Sequence, residues 1–360
     1  MKALCHISAN ALIQNFSRFK SLIGSALIIP VVKANAYGHG AIPVISILRQ
    51  NFEIPMVAVA TLEESQVVAK AYPDVDTLIF SRIFPGELEA LPPRAIITIT
   101  SREDYVQLDR AITGSVAVHL NVNTGMNRLG LAPEEALALL KHPSRYLKIT
   151  GVYSHLSSAD TPNTASVMQQ KQVFSQLCSR LDELGFSGLK HLSNSAGVLT
   201  HPDLSYDAIR LGIGLYGYDT TPAQKFLADL KPVMTVTAPL VRVATLEAGE
   251  PVSYGETWRA GSRTRIGTLR MGYADGYRRS LSNRGTVVRD GQPFPVVGTV
   301  TMDHIMIDLG DAEVETGEYF TVLGGANPHT AIATVSQRLG TIPYEICCGI
   351  SPRVERLYET

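Results

Sequence analysis

Between residues 27 and 212 short, mainly apolar runs recur, unbroken at 27–32 and followed by 55–60, 77–81, 95–100, 115–122, 149–155, 191–194 and 208–212. Runs apolar on successive rather than alternate residues are the pattern of strands buried on both faces. Longer segments with apolar positions at helical spacing lie between them, among them 102–112, 133–142 and 165–184. A further helix is predicted over 8–23, where Leu12, Ile13, Phe16, Phe19, Leu22 and Ile23 share a face and Ser8 stands at the capping position. Eight strands alternating with helical crossovers predict a (β/α)8 barrel of TIM type, although an open doubly wound sheet has the same local pattern. The polar residues favour the barrel. Lys33, Arg128, His155, Asn194, Ser195 and Arg210 fall at or just past the C-terminal ends of predicted strands, the face where a barrel gathers its active site.

From about Lys231 the pattern changes to β-rich runs at 234–245, 263–271, 285–289, 294–299, 305–309 and 319–323, punctuated by Gly and Pro. No long helical period returns until 331–339. This predicts a barrel domain over 1–229 and a mostly antiparallel β-domain over 230–360, joined near 219–232, a polar segment bracketed by prolines.

Composition narrows the function. Lys plus Arg (32) nearly balances Asp plus Glu (33), so the chain carries no field that would draw nucleic acid or an acidic membrane. No apolar stretch reaches the roughly 18 residues needed to span a bilayer, and the N-terminus lacks the apolar core of a signal peptide, so a cytoplasmic protein is expected. Cysteines 5, 178, 347 and 348 show no CxxC spacing and no zinc-ribbon arrangement; they read as reduced thiols, and no metal site is expected.

Lys33 is the most informative single residue. It ends the apolar run 27–32 and is followed at once by Ala34-Asn35-Ala36-Tyr37-Gly38-His39-Gly40. An amine that leaves a buried strand for a polar, Gly-containing turn sits where a Schiff-base lysine belongs, because burial favours the neutral amine that such chemistry needs.

With these positions laid out, the chain resembles the alanine racemases, pyridoxal 5'-phosphate enzymes of fold-type III that pair a barrel with a β-domain. The resemblance runs from Lys33 to the C-terminus. It is carried by Val31-Val32-Lys33-Ala34-Asn35-Ala36-Tyr37-Gly38-His39-Gly40, Asn123-Thr124-Gly125-Met126-Asn127-Arg128-Leu129-Gly130 and Ser154-His155 with Asp160. His191-Leu192-Ser193-Asn194-Ser195-Ala196, Arg210-Leu211-Gly212-Ile213 and Ser253-Tyr254-Gly255 continue it. Gly272-Tyr273-Ala274-Asp275-Gly276, Met302-Asp303 and Ile342-Pro343-Tyr344-Glu345 complete it, nine motifs in the family's order.

The resemblance implies that Lys33 carries the cofactor. It places Tyr37, Asn194, Ser195, the backbone of Gly212 and Ile213, and Tyr344 around it, chiefly at its phosphate, where neutral donors suit a dianion. It sets Arg210 against the pyridine nitrogen. A guanidinium donates but does not give up its proton, so the ring stays a weak electron sink, which favours reprotonation at the same carbon over transamination. Racemisation needs a base on each face of the substrate carbon. The family's pair corresponds to Lys33 and Tyr254, the latter primed by His155 and supplied by the partner in a head-to-tail homodimer. Tyr273, Met302 and Asp303 are implied to cross with it, and Arg128 with the Met302 backbone to meet the substrate carboxylate. The implied reaction is the interconversion of L- and D-alanine, supplying D-alanine for peptidoglycan; serine, lysine and arginine racemases share the scaffold.

One position departs from the pattern. Many members carry a carbamylated lysine seven residues before the arginine equivalent to Arg128, and this chain has Asn121 there, with Asn123 in place of a common aspartate. An anion such as chloride, or a water, is the expected substitute. Two rival readings are weaker. Gly212-Ile213-Gly214-Leu215-Tyr216-Gly217 matches GxGxxG, but the loop-like residues 218–222 follow where a dinucleotide fold needs a helix. A non-catalytic cofactor carrier would keep Lys33 but lack the β-domain that bears Tyr254.

Overall fold

The computed structural model describes residues 1–162, 164–221 and 229–359. They form two compact units: Ile13–Ala36 with Ala41–Leu230, and Met1–Leu12 with Tyr37–Gly40 and Lys231–Thr360.

The chain opens on β1 (Leu4–Ser8) and then enters the strands of the first unit: β2 (Leu27–Pro30), β3 (Met56–Val59), β4 (Asp76–Ile79), β5 (Ala95–Ile99), β6 (Val116–Asn121), β7 (Leu147–Tyr153), β8 (Leu189–His191) and β9 (Ala208–Leu211). These last eight pair in the order β2-β9-β8-β7-β6-β5-β4-β3, every pairing parallel. A bridge between Val31 and Ala58, with the Val32 N–H donating to the Ala58 carbonyl at 2.8 Å, joins the two ends and closes the barrel. Every residue of β3, β5 and β9 is buried, as expected where helices cover the outside and side chains fill the inside.

The helices begin where local chemistry starts them. Ser8 Oγ accepts from the Ala11 N–H at 3.2 Å at the head of Ala9–Ile23, and Ser101 Oγ accepts from Asp104 at 3.1 Å at the head of Arg102–Ala111. Pro133 opens Pro133–Lys141, and Thr164–Glu183 follows the strand that ends at Tyr153.

The second unit holds β10 (Met234–Leu246), β11 (Thr264–Leu269), β12 (Thr286–Arg289), β13 (Gln292–Pro295), β14 (Ile305–Gly310), β15 (Tyr319–Gly324) and β16 (Glu355–Glu359). The path β13-β12-β15-β10-β1-β16 runs through its sheet, with β11 on β10 and β14 on β11. All of its pairings are antiparallel except β1 with β16. Ile332–Leu339 and Pro343–Cys348 are its helices of more than one short turn.

The structure differs from the sequence reading at the N-terminal end of the chain. Residues 1–12 were expected within the barrel domain 1–229, yet β1 is antiparallel to β10, Cys5 opposite Val236, and parallel to β16, Cys5 opposite Arg356. The reason is amphipathicity: Cys5 and Ile7 are fully buried while their neighbours are half-buried, the alternation of a strand with one covered face. Of the expected join at 219–232, residues 222–228 lie outside the described residues. All four cysteines are free thiols, and among the described residues no helix is long and apolar enough to cross a membrane.

Candidate active site

Lys33 follows β2 by three positions and is half-buried, its Nζ 5.9 Å from the centroid of the Phe80 ring. The chain beyond it turns in an unusual sense. Ala34, Asn35, Ala36 and Tyr37 have φ of 51°, 53°, 54° and 51°, a left-handed helical turn made without glycine. Each such residue costs roughly 1–2 kcal/mol, so the surroundings must hold the turn. Glu64 does so at its start, where its two carboxylate oxygens accept from the Ala34 N–H at 2.6 Å and the Ala60 N–H at 2.7 Å. Asn35 Oδ1 accepts from the Ala41 N–H at 2.9 Å. Glu64 is a residue that sequence reasoning missed; Thr61-Leu62-Glu63-Glu64 carries a capping-box signature, which marks a helix start and says nothing of Lys33.

Arg210, on β9, is buried at the centre of the barrel's polar cluster. Its two Nη2 hydrogens serve three acceptors, the carbonyls of Ser154 at 2.6 Å and Leu192 at 2.8 Å and, by sharing, His155 Nδ1 at 3.1 Å. Its Nη1 donates to His191 Nδ1 at 2.8 Å and to the His191 carbonyl at 3.3 Å. Burial lowers its pKa to about 10, which leaves the guanidinium charged at neutral pH. Among the described residues neither Arg210 nor the exposed Arg128 has a carboxylate within salt-bridge distance.

The arginine also fixes a tautomer. A guanidinium nitrogen only donates, so His155 Nδ1 accepts and the ring hydrogen resides on Nε2. Asn194 Nδ2 lies 3.5 Å from that Nε2, but its Oδ1 is held by the Gly197 N–H at 2.9 Å, so two donors face each other and the amide is a neighbour, not a partner. Burial, followed by the charges of Arg210, Arg128 and Lys33, pushes the His155 pKa down to about 3. Ser195 Oγ accepts from the Gly212 N–H at 3.0 Å and the Gly214 N–H at 3.1 Å, which shapes the single 3-10 turn Ile213–Tyr216. That turn ends at a left-handed Gly217, so the GxGxxG match opens no dinucleotide-binding helix.

Arg128 stands in the loop after β6, where Asn123 organises the backbone: its Oδ1 accepts from Gly125 at 3.0 Å and Asn127 at 3.1 Å, and its Nδ2 donates to Asn127 Oδ1 at 2.8 Å. Asn121 is the last residue of β6.

The remaining expected residues belong to the second unit. The Tyr37 and Tyr344 rings lie 5.8 Å apart. Tyr254, Tyr273, Met302 and Asp303 line one open cleft of about 830 Å³, with Tyr254 74%, Met302 53% and Tyr273 43% exposed. Backbone bonds tie two of them together: Tyr273 N–H donates to Thr301 and Ala274 N–H to Met302, at 3.0 and 3.1 Å. Asp303 is paired with Arg353 at 2.8 Å.

The chain as a whole is similar to known proteins. Residues 7–220 match the family described as alanine racemase, N-terminal domain, and residues 233–358 its C-terminal domain. The chain is 34% identical over 361 residues to the alanine racemase of Symbiobacterium thermophilum, covering 98% of this chain and 96% of that one. It is 36% identical over 355 residues to that of Halothermothrix orenii, covering 96% and 93%. Among solved structures, alanine racemase from E. faecalis superposes with a TM-score of 0.91 at 31% identity, over 99% of this chain and 98% of that one. The enzyme from Bartonella henselae, described with covalently bound pyridoxal phosphate, gives 0.88 at 29% identity over 100% of both chains. Both domains of the family are thus present in order over nearly the whole chain, and the protein belongs to the alanine racemase family.

Proposed function

We propose that this chain is a pyridoxal phosphate-dependent racemase that interconverts L- and D-alanine as a homodimer. The observation that carries the reading is the excess of positive charge at the barrel mouth: Lys33, Arg128 and Arg210 all act on His155, and the two arginines have no carboxylate partner among the described residues. Cations gathered without counter-charges favour anionic ligands, and a cofactor phosphate and a substrate carboxylate would offset the excess at the mouth. The donor set fits that cofactor. Hydroxyls of Tyr37, Ser195 and Tyr344 and the Ile213 N–H would hold the phosphate, the Gly212 N–H, which donates to Ser195 Oγ, would orient that hydroxyl, with Asn194 beside them, and Arg210 would face the ring nitrogen.

When bound, the cofactor supplies the electron withdrawal that acidifies the substrate Cα–H. The chain's own groups then direct one proton. Lys33 Nζ takes it from Cα on one face, and the partner subunit's Tyr254 returns one from its hydroxyl on the other; the reverse reaction exchanges the roles. His155, with its hydrogen on Nε2, can donate to that phenolic oxygen and so stabilise negative charge on it. Arg128 would orient the substrate carboxylate, and Tyr273 and Met302 would narrow the approach for a small side chain. The exposure of Tyr254, Tyr273 and Met302 along one cleft supports their use across a subunit boundary. The product suits the supply of D-alanine for peptidoglycan in the cytoplasm.

The test compares loss of optical rotation for L-alanine, L-serine, L-lysine and L-arginine, with Lys33→Ala as the control. Yellow protein bleached by borohydride, with alanine turned over fastest, is the expected result. Colourless protein with no exchange of the alanine α-proton would refute it.

A further inference from the structure

Behind Arg210 lies a pair of buried histidines that neither binding nor proton transfer has used. His119 sits on β6 where the ladder with β7 shifts register: Val118 faces Ile149, but His119 faces Gly151, leaving Thr150 as an extra residue. Such a bulge re-aims a side chain. Here the His119 ring lies against the bare Cα of Gly151, so closely that a Cβ there would fall 2.4 Å from Nε2.

The resulting contacts form a chain. Arg210 Nη1 lies 2.8 Å from His191 Nδ1, and His191 Nε2 lies 3.1 Å from His119 Nδ1. Tyr153 stacks on the His191 ring at 4.9 Å and 15°. Because the arginine can only donate, His191 Nδ1 accepts and its hydrogen lies on Nε2. That hydrogen is given to His119 Nδ1, which forces the second ring's hydrogen onto Nε2 as well. Burial, then the Arg210 charge, lowers the pKa of His119 to about 3 and that of His191 well below its ordinary value, so both rings stay neutral. His119 Nε2 has no hydrogen-bond partner among the described residues. His119 borders a cavity of about 310 Å³ also lined by Met56, Asp76, Ala95 and Leu189, the first residues of β3, β4, β5 and β8, at the N-terminal end of the barrel. A polar acceptor such as water can end the chain there.

We propose that His119 is a positioning residue for the racemase: acting through His191, it holds Arg210 in a single hydrogen-bonded orientation from the floor of the barrel. Barrel interiors are filled by branched apolar side chains, and two buried imidazoles cost stability unless each polar atom is matched. Their one-way polarity gives Arg210 a rigid acceptor that cannot take its proton. The catalytic consequence rests on the reading that Arg210 serves the cofactor; the polarity of the chain does not.

The experiment uses the holoenzyme with ¹⁵N-labelled histidine, as wild type, His119→Asn and His119→Leu. Asparagine places Oδ1 where Nδ1 stood and keeps the acceptor; leucine removes it. In the wild type, His119 and His191 are expected as Nε2–H tautomers that do not titrate between about pH 5.5 and 9. His119→Leu should lower kcat on the order of tenfold to a hundredfold at little-changed KM and leave the His191 Nε2–H without its acceptor, read as a shift of the His191 ¹⁵Nε2 resonance, while His119→Asn should restore both. Wild-type kcat in the leucine variant, or a His191 hydrogen found on Nδ1, overturns the proposal. If the leucine variant fails to fold, the wild-type tautomers decide alone. A protein without racemase activity would refute the functional reading and leave the tautomer result to judge the chain separately.

Discussion

Glu64 grips the Ala34 N–H at 2.6 Å and the Ala60 N–H at 2.7 Å with one carboxylate, tying the residue after Lys33 to the end of the neighbouring strand. A left-handed turn of non-glycine residues starts at Ala34, so this carboxylate offsets strain at the candidate catalytic lysine. Glu64→Ala is expected to destabilise the protein by about 1–3 kcal/mol, the cost of stranding a backbone donor. It should also release cofactor faster on dialysis. Glu64→Gln, which keeps one acceptor oxygen, should lie between. Urea unfolding and visible absorbance measure the two effects; a stable alanine variant that keeps its colour would remove Glu64 from the account.

Tyr254 is 74% exposed. Loss of its hydroxyl should therefore leave the urea midpoint unchanged, within about 0.5 kcal/mol. Racemisation of L-alanine by Tyr254→Phe should nevertheless fall by about 10²–10⁴, the range for a positioned acid-base group. Polarimetry with absorbance on the same sample separates the outcomes, because colour lost in parallel with rate would make the tyrosine a structural residue.

Acid should unfold the protein through its buried imidazoles. His119 and His155 have pKa values lowered to about 3 from the ordinary 6.5, first by burial and then by Arg210. The unfolded chain takes up protons first as pH falls, so stability is complete above about pH 6.5 and declines toward about pH 3. Urea midpoints should be level from pH 7 to 8 and drop steadily from pH 6 to 4. In His119→Asn the acid slope should be shallower by one proton. A midpoint independent of pH over that range would contradict the buried, neutral assignment.

Gly38 and Gly24 separate close approach from backbone freedom. Both have positive φ, +82° and +61°, but a Cβ at Gly38 would fall 2.3 Å from the Cys347 carbonyl oxygen, whereas one at Gly24 meets nothing within 4 Å. Gly24→Ala should cost about 1 kcal/mol from backbone strain alone. Gly38→Ala must also move backbone and should lower the melting temperature much further. Equal shifts in a thermal melt would show that the contact carries no cost.

The residues themselves determined the barrel. β3, β5 and β9 are buried throughout and appear as mainly apolar runs, and most of the candidate site residues stand where strands end at the mouth. The apolar run before Lys33, the helix cap at Ser8 and the change to antiparallel patterning after Lys231 are local features of the same kind. Tertiary structure decided what local pattern cannot carry. β1 and β16 pair across most of the chain's length, and only the assembled sheet shows which face covers Cys5 and Ile7. No glycine marks the left-handed turn at Ala34, Asn35 and Ala36, because groups distant in sequence, Glu64 above all, offset its strain. His119 and His191 stand 72 residues apart and meet because a bulge and a missing Cβ at Gly151 turn one ring inward. Period and propensity act over neighbouring residues, whereas hydrogen-bond direction depends on which donors the folded chain brings together.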